Sequence, residues 1–153
     1  MEGIGWCTAT SIDLSSGHPE KVLAVNEAVQ HERSEDIQSL TAALLEACQL
    51  CADPDFRDRL VTLLSSREHL DIPPATILNS LSNRFQTGDE EDRHLPDFHL
   101  FYGPEINAPT TEKANWIVSG MRQSGLLGTE SISGLNSLFR TDLFEAASTT
   151  LNS

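Results

Sequence analysis

Lys21 is the residue in this sequence best placed to hold a charged ligand. It closes the tight stretch His18-Pro19-Glu20-Lys21 and is followed by Val22-Leu23-Ala24-Val25. Pro19 cannot donate to a β ladder, and valine and leucine favour strands, so the pattern predicts a loop–strand junction at Lys21. A charge rooted on regular structure keeps one position against a ligand. The ordinary alternative is a solvated edge lysine. His18 lies beside it as a second candidate contact, with a loop-capping role as its alternative. His31, His69, His94 and His99 show no metal-ligand spacing.

Cys48 and Cys51 have C-x-x-C spacing, which suits redox chemistry or half a zinc site. No second pair accompanies them, and no Gly-Pro or Trp flanks them as in a redox loop. A three-residue helical step places both sulfurs on the face of Leu44, where free cysteines behave as small hydrophobes. Unpaired thiols fit a reducing compartment. The acids of Gly88-Asp89-Glu90-Glu91-Asp92 lack the alternating ligands of a calcium loop and read as a solvated surface loop. There is no G-x-S-x-G elbow, no Walker glycine loop and no G-x-G-x-x-G, so the sequence gives no ground for an enzyme, a metal or a cofactor.

The 153 residues make about one domain's worth of chain, with 39% hydrophobic and 22% charged residues. Ten Lys and Arg against 23 Asp and Glu give a formal charge of −13. That disfavours nucleic acid, whose affinity comes from neutralised phosphates, but does not forbid a small anion held at contact. No apolar run approaches the roughly 20 residues of a membrane span, and no signal-peptide pattern is visible.

The elements that must position Lys21 follow from the pattern. A first strand is expected within residues 3–14, a second at 22–25, and a polar connector over 26–33. Ser34 reads as the N-cap of a helix over 34–52 whose buried face carries Ile37, Leu40, Leu44, Ala47, Cys48 and Cys51. Asp53 caps the next helix with Pro54 in its first position, and Phe56, Leu60, Leu63 and Leu64 line its buried face. Pro73-Pro74 opens a third helix through Ile77, Leu78 and Leu81. Residues 97–102 alternate like a short strand. Thr110 or Thr111 caps a helix through Trp116, Ile117 and Met121 that ends near Gly125. Thr141 caps the last helix, with Leu143, Phe144 and Ala147 inward.

Several stretches together resemble a known family. They are Gly3-Ile4-Gly5-Trp6, Ala9-Thr10-Ser11 and His18-Pro19-Glu20-Lys21-Val22-Leu23. Leu44-Leu45-Glu46-Ala47-Cys48, Cys51-Ala52-Asp53-Pro54 and Leu63-Leu64-Ser65 follow. After them come Phe98-His99-Leu100-Phe101, Asn107-Ala108-Pro109 with Trp116-Ile117, and Phe139-Arg140-Thr141-Asp142-Leu143-Phe144. In this order they resemble the second-lobe segment of substrate-binding proteins of nitrate and nitrite ABC transporters. Bicarbonate-binding members and cytoplasmic nitrate sensors are related to these.

The resemblance implies a helix-rich α/β chain, the C-terminal portion of a type II periplasmic-binding-protein-like fold with a small sheet near the N-terminus. The helix over 34–52 would pack over that sheet. It implies a non-enzymatic binding component in which the lysine matching Lys21 contacts a small oxyanion, with His18 beside it. Nitrate or nitrite is favoured over bicarbonate, because bicarbonate binders carry an acid and a metal at that position. Implied partners are an ABC permease and ATPase, or a regulatory protein. A periplasmic location is implied, with a cytoplasmic sensor as the alternative.

The departures from the family shape the expectation. A first lobe and a Gly-Glu-Pro-Trp-like loop upstream have no counterpart, and Ser15 stands where many members have an aromatic. Residues 1–153 are therefore expected to form a partial domain lacking its first lobe. Such a chain should bind nitrate poorly by itself, and a truncated non-binding fragment is a further alternative.

Overall fold

Helices dominate the computed structural model, which describes residues 7–86, 92–128, 130, 132 and 134–151. The helices are α1 (Glu27–Glu32), α2 (Ser34–Ala52), α3 (Arg57–Ser65), α4 (Pro74–Leu81), α5 (Pro104–Asn107), α6 (Thr111–Gln123), α7 (Leu135–Leu138) and α8 (Thr141–Leu151). Two short strands, β1 (Arg84–Gln86) and β2 (Asp92–His94), lie between α4 and α5. Single 3₁₀ turns occupy Ser11–Asp13 and Pro54–Phe56. The chain divides into two units, one of residues 1–17 with 49–102, the other of residues 18–48 with 103–153.

In the first unit, Asp53 behaves as its sequence position predicts. Its Oδ1 accepts from the Asp55 amide at 2.9 Å, and Pro54 takes a first-turn position where no N–H is needed. α3 buries Leu60 and Val61, and α4 buries Ile77. Leu63, expected inside, is exposed, as is Leu78, because the inward stripe of each helix is narrower than the apolar pattern suggests. β1 and β2 pair antiparallel, Arg84 facing His94, Phe85 facing Arg93 and Gln86 facing Asp92.

This hairpin is the sheet among the described residues, at 84–94 and not near the N-terminus. Of the expected first strand, residues 1–6 lie outside the described residues, Cys7 forms an isolated bridge and residues 11–13 turn into the 3₁₀ element. The expected acidic loop lies mostly in 87–91, also outside the described residues. Residues 97–102 are not a strand. The Phe98 amide turns back to the Leu95 carbonyl at 3.0 Å. The rings of Phe85, Phe98, His99 and Phe101 follow one another at centroid distances of 4.3, 4.7 and 5.5 Å. Ring packing, not ladder bonding, accounts for the alternation there.

In the second unit the expected polar connector contains a helix. Asn26 caps α1, its Oδ1 accepting from the amides of Ala28 (2.8 Å) and Val29 (3.3 Å). Ser34 is therefore no N-cap. The Ile37 amide already bonds the Arg33 carbonyl at 3.0 Å, so α2 starts from the residue before it.

α2 spans the predicted residues, but its buried stripe is rotated. Ala42 and Leu45 face inward, while Leu40, Leu44 and Ala47 are exposed. The stripe meets α8, where Ala147, Phe144 and Leu151 complete a small core. Gln38 Nε2 donates to Thr150 Oγ1 at 3.0 Å along the same seam. α2 thus packs on α8, in place of the expected sheet, and the expected inward positions of Phe144 and Ala147 hold. α6 is capped by Thr110, whose Oγ1 accepts from the Lys113 amide at 3.4 Å, and it buries Ala114 and Val118.

Candidate functional site

The second unit carries Lys21, and the first question is what holds it. Residues 21–26 have no regular structure, so the lysine does not stand at a loop–strand junction. Strand formers need a ladder partner to become a strand, and among the described residues none is present for 22–25. What anchors the loop is His18. Its side chain is only 13% exposed, with Nε2 3.4 Å from Glu20 Oε1. Its ring lies 5.4 Å from that of Trp116 on α6, tilted by 30°. The contact ties the start of the loop to α6, three residues before Lys21. Sequence reading placed Trp116 on the helix but missed it as the partner of His18, since nothing in the spacing links positions 18 and 116.

The other cationic side chains of this unit are engaged. Arg33 Nε donates to Asp36 Oδ2 at 2.8 Å. Arg122 Nη2 donates to the Glu130 carbonyl at 2.7 Å. Arg140 donates to both carboxylate oxygens of Asp142, at 2.8 and 2.6 Å, and holds that carboxyl down at about 2.

Lys113 uses its ammonium fully. Nζ donates to the carbonyls of Glu105 (2.6 Å), Ile106 (2.7 Å) and Ala108 (2.8 Å). Burial pushes this amine down, and the nearby Glu105 carboxylate opposes that. The ammonium caps the end of α5, whose start is set by Gly103 at φ 157, where an added Cβ would meet Ile106 at 3.2 Å. Asn107 Oδ1 accepts from the Gly103 amide at 3.0 Å. The Asn-Ala-Pro stretch is thus a rigid corner built around a lysine. Lys21, by contrast, is exposed, and among the described residues it has no hydrogen bond or ion pair.

An exposed ammonium attracts a monoanion at 4 Å by about 1 kcal/mol in water, against about 4 kcal/mol where the effective dielectric is near 20. Lys21 in its present surroundings supplies the charge without the dry environment that would make it count.

Cys7, Cys48 and Cys51 are free and half-buried. Burial pushes the Cys48 thiol up, against a hydrogen bond with Asn107 that lowers it. Among the described residues no group of three or more His, Cys, Asp and Glu side chains could hold a metal ion.

Comparison with known proteins gives these features a context. Residues 1–65 match the NMT1-like family. The chain resembles the substrate-binding proteins of nitrate and bicarbonate ABC transporters, as the motifs around Lys21 imply. It is 34% identical over 147 residues to the nitrate import ATP-binding protein NrtC of Synechococcus elongatus, covering 95% of this chain and 22% of the relative. It is 34% identical over 122 residues to the bicarbonate transport ATP-binding protein CmpC of the same organism, covering 80% of this chain and 17% of the relative. The nitrate/nitrite binding protein NrtA of Synechocystis matches at 21% over 154 residues, covering 98% of this chain and 34% of that protein. The chain therefore spans from about a sixth to a third of the length of these relatives. No solved structure gives a significant match.

Proposed function

We propose that this chain is part of an oxyanion-binding domain of a nitrate or nitrite ABC transport system, and that Lys21 supplies the cationic contact. The observation that carries this reading is the uncommitted state of Lys21 beside the anchored His18, while its neighbours' charges are spent on carboxylates and carbonyls. An ammonium with three donors suits a planar monoanion. On this reading the fold is the second portion of a two-lobed periplasmic-binding-protein-like domain, residues 1–153 being a partial domain. His18 positions the loop through Trp116 and stands close enough in sequence to serve as a second contact. The partners are a permease and an ATPase. Bicarbonate is disfavoured, because its recruitment through an acid would need an added cation, and Lys21 is not an acid.

Calorimetric titration of nitrate tests this. The 153-residue chain alone should show no micromolar binding, since one wall of the anion's surroundings is absent. The same residues within a complete two-lobed domain should bind, and Lys21→Met there should weaken nitrate at least tenfold without altering thermal stability. Micromolar binding by the isolated chain, or an unaffected Lys21→Met domain, overturns the assignment.

A second reading is favoured by the identities themselves. The matches to ATP-binding proteins of nitrate and bicarbonate transport reach 34%, against 21% for a free-standing binding protein. The chain has no phosphate-binding glycine loop, so on this reading it corresponds to a segment outside their nucleotide site. It would then be an anion-sensing portion attached to, or docking on, a transport ATPase at the cytoplasmic face. ATPase rates of such a subunit measured with and without nitrate, with Lys21 intact or replaced, separate this from a periplasmic carrier.

A further inference from the structure

We propose that the corner at residues 105–108 is a preformed receptor for a primary ammonium group, and that Lys113 fills it as a tethered ligand. The carbonyl oxygens of Glu105, Ile106 and Ala108 converge on one nitrogen, at 2.6, 2.7 and 2.8 Å.

The sequence itself strips two of these oxygens of their usual donors. A helical carbonyl receives the amide four residues further on. For Glu105 that residue is Pro109, which has no N–H. For Ile106 it is Thr110, whose amide bonds the Ala108 carbonyl at 3.0 Å instead. Both oxygens are therefore left for a donor from outside α5.

The corner is held by bonds that involve no atom of the Lys113 side chain. The Gly103 carbonyl accepts from the amides of Ile106 and Asn107, each at 3.0 Å. The Ala108 amide donates to the Pro104 carbonyl at 3.2 Å, and the Gly103 amide donates to Asn107 Oδ1 at 3.0 Å. Pro104 and Pro109 fix φ at either end. The three oxygens should thus converge before any cation arrives.

Their number and spacing select the occupant. A primary ammonium carries three donors on one tetrahedral nitrogen, whereas a guanidinium is planar and a quaternary ammonium has no N–H to give. Magnesium demands oxygen contacts of about 2.0–2.1 Å, and calcium takes about six to eight oxygens. The Glu105 carboxylate adds attraction for a positive charge.

The test needs no nitrate, since the proposal is independent of anion recognition. Lys113→Ala empties the receptor. Thermal unfolding of this variant and of the unaltered protein is followed in methylammonium, tetramethylammonium and magnesium chlorides at equal ionic strength. Methylammonium at about 0.2 M should restore about a third or more of the midpoint lost, with no matching rise in the unaltered protein. Tetramethylammonium and magnesium should not. If Lys113→Ala does not stay folded, its refolding yield from urea in the three salts gives the same comparison. Absence of methylammonium rescue overturns the proposal, because the corner would then be shaped by the lysine. Equal rescue by either other salt, or an equal rise in the unaltered protein, overturns it as a general salt effect.

Discussion

The Arg93 guanidinium grips both carboxylate oxygens of Asp13, Nη2 to Oδ1 at 2.5 Å and Nη1 to Oδ2 at 3.2 Å. Asp13 also accepts from the Thr10 amide at 2.7 Å and hydroxyl at 3.0 Å. The first described turn of the chain is thereby fixed to β2 by a two-pronged ion pair. Arg93, followed by the Thr10 donors, holds the Asp13 carboxyl well below the usual carboxylate range. A carboxyl depressed in the folded state stabilises fully above its unfolded value near pH 4, and that contribution fades as pH falls through the lower folded value. Asp13→Asn should flatten the acid limb of a stability–pH curve measured by urea unfolding, its loss being largest near pH 7 and shrinking as pH falls towards 2.

Helix starts give a sharper contrast. Asn26→Ala removes the acceptor for two amides and should cost about 1 kcal/mol. Ser34→Ala, at a position that looks like a cap in the sequence, should stay within about 0.5 kcal/mol. Chemical denaturation of the two variants checks this; an equal loss at both positions contradicts the cap assignment.

The phase of α2 is testable with adjacent leucines. Leu45 is 6% exposed and Leu44 is 43% exposed. Leu45→Ala should cost about 2–4 kcal/mol through lost burial and a cavity against α8, while Leu44→Ala should fall within about 0.5 kcal/mol. Reversal of that order in thermal or urea unfolding would restore the stripe read from the sequence.

Lys113→Met leaves three carbonyls without their shared donor and should destabilise by about 1–3 kcal/mol. Lys113→Arg should recover only part of this. A planar fork cannot converge on three oxygens as a tetrahedral ammonium does. Unfolding midpoints at constant m-value distinguish a local loss from a change in the unfolded state.

Lengths and punctuation of the helices were legible in the sequence because Pro, Asp and Thr act within one turn. Pro54, Pro74, Asp53 and Thr110 sit where their chemistry demands. Burial was less legible. α2 offers apolar residues on more than one face, and only α8, more than a hundred residues later, decides that Leu45 and not Leu44 goes inside. The strand expected at 22–25 does not form, because a strand is a property of a pair, and no partner is present among the described residues. At the candidate site, Lys21 was singled out from its neighbours, and the loop–strand junction expected there is absent. The ring contact of His18 with Trp116 and the triple engagement of Lys113 were beyond reach, since both depend on tertiary geometry and not on spacing.

The chain has two lysines, and the corner at 105–108 consumes one of them. An amine-reactive reagent applied to the native protein therefore meets a strongly unequal pair of side chains: Lys21 open to attack, Lys113 with every proton committed. Of the two lysine side chains, such a reagent would thus mark the one assigned to the anion, and by cancelling its charge would remove the contact it is assigned.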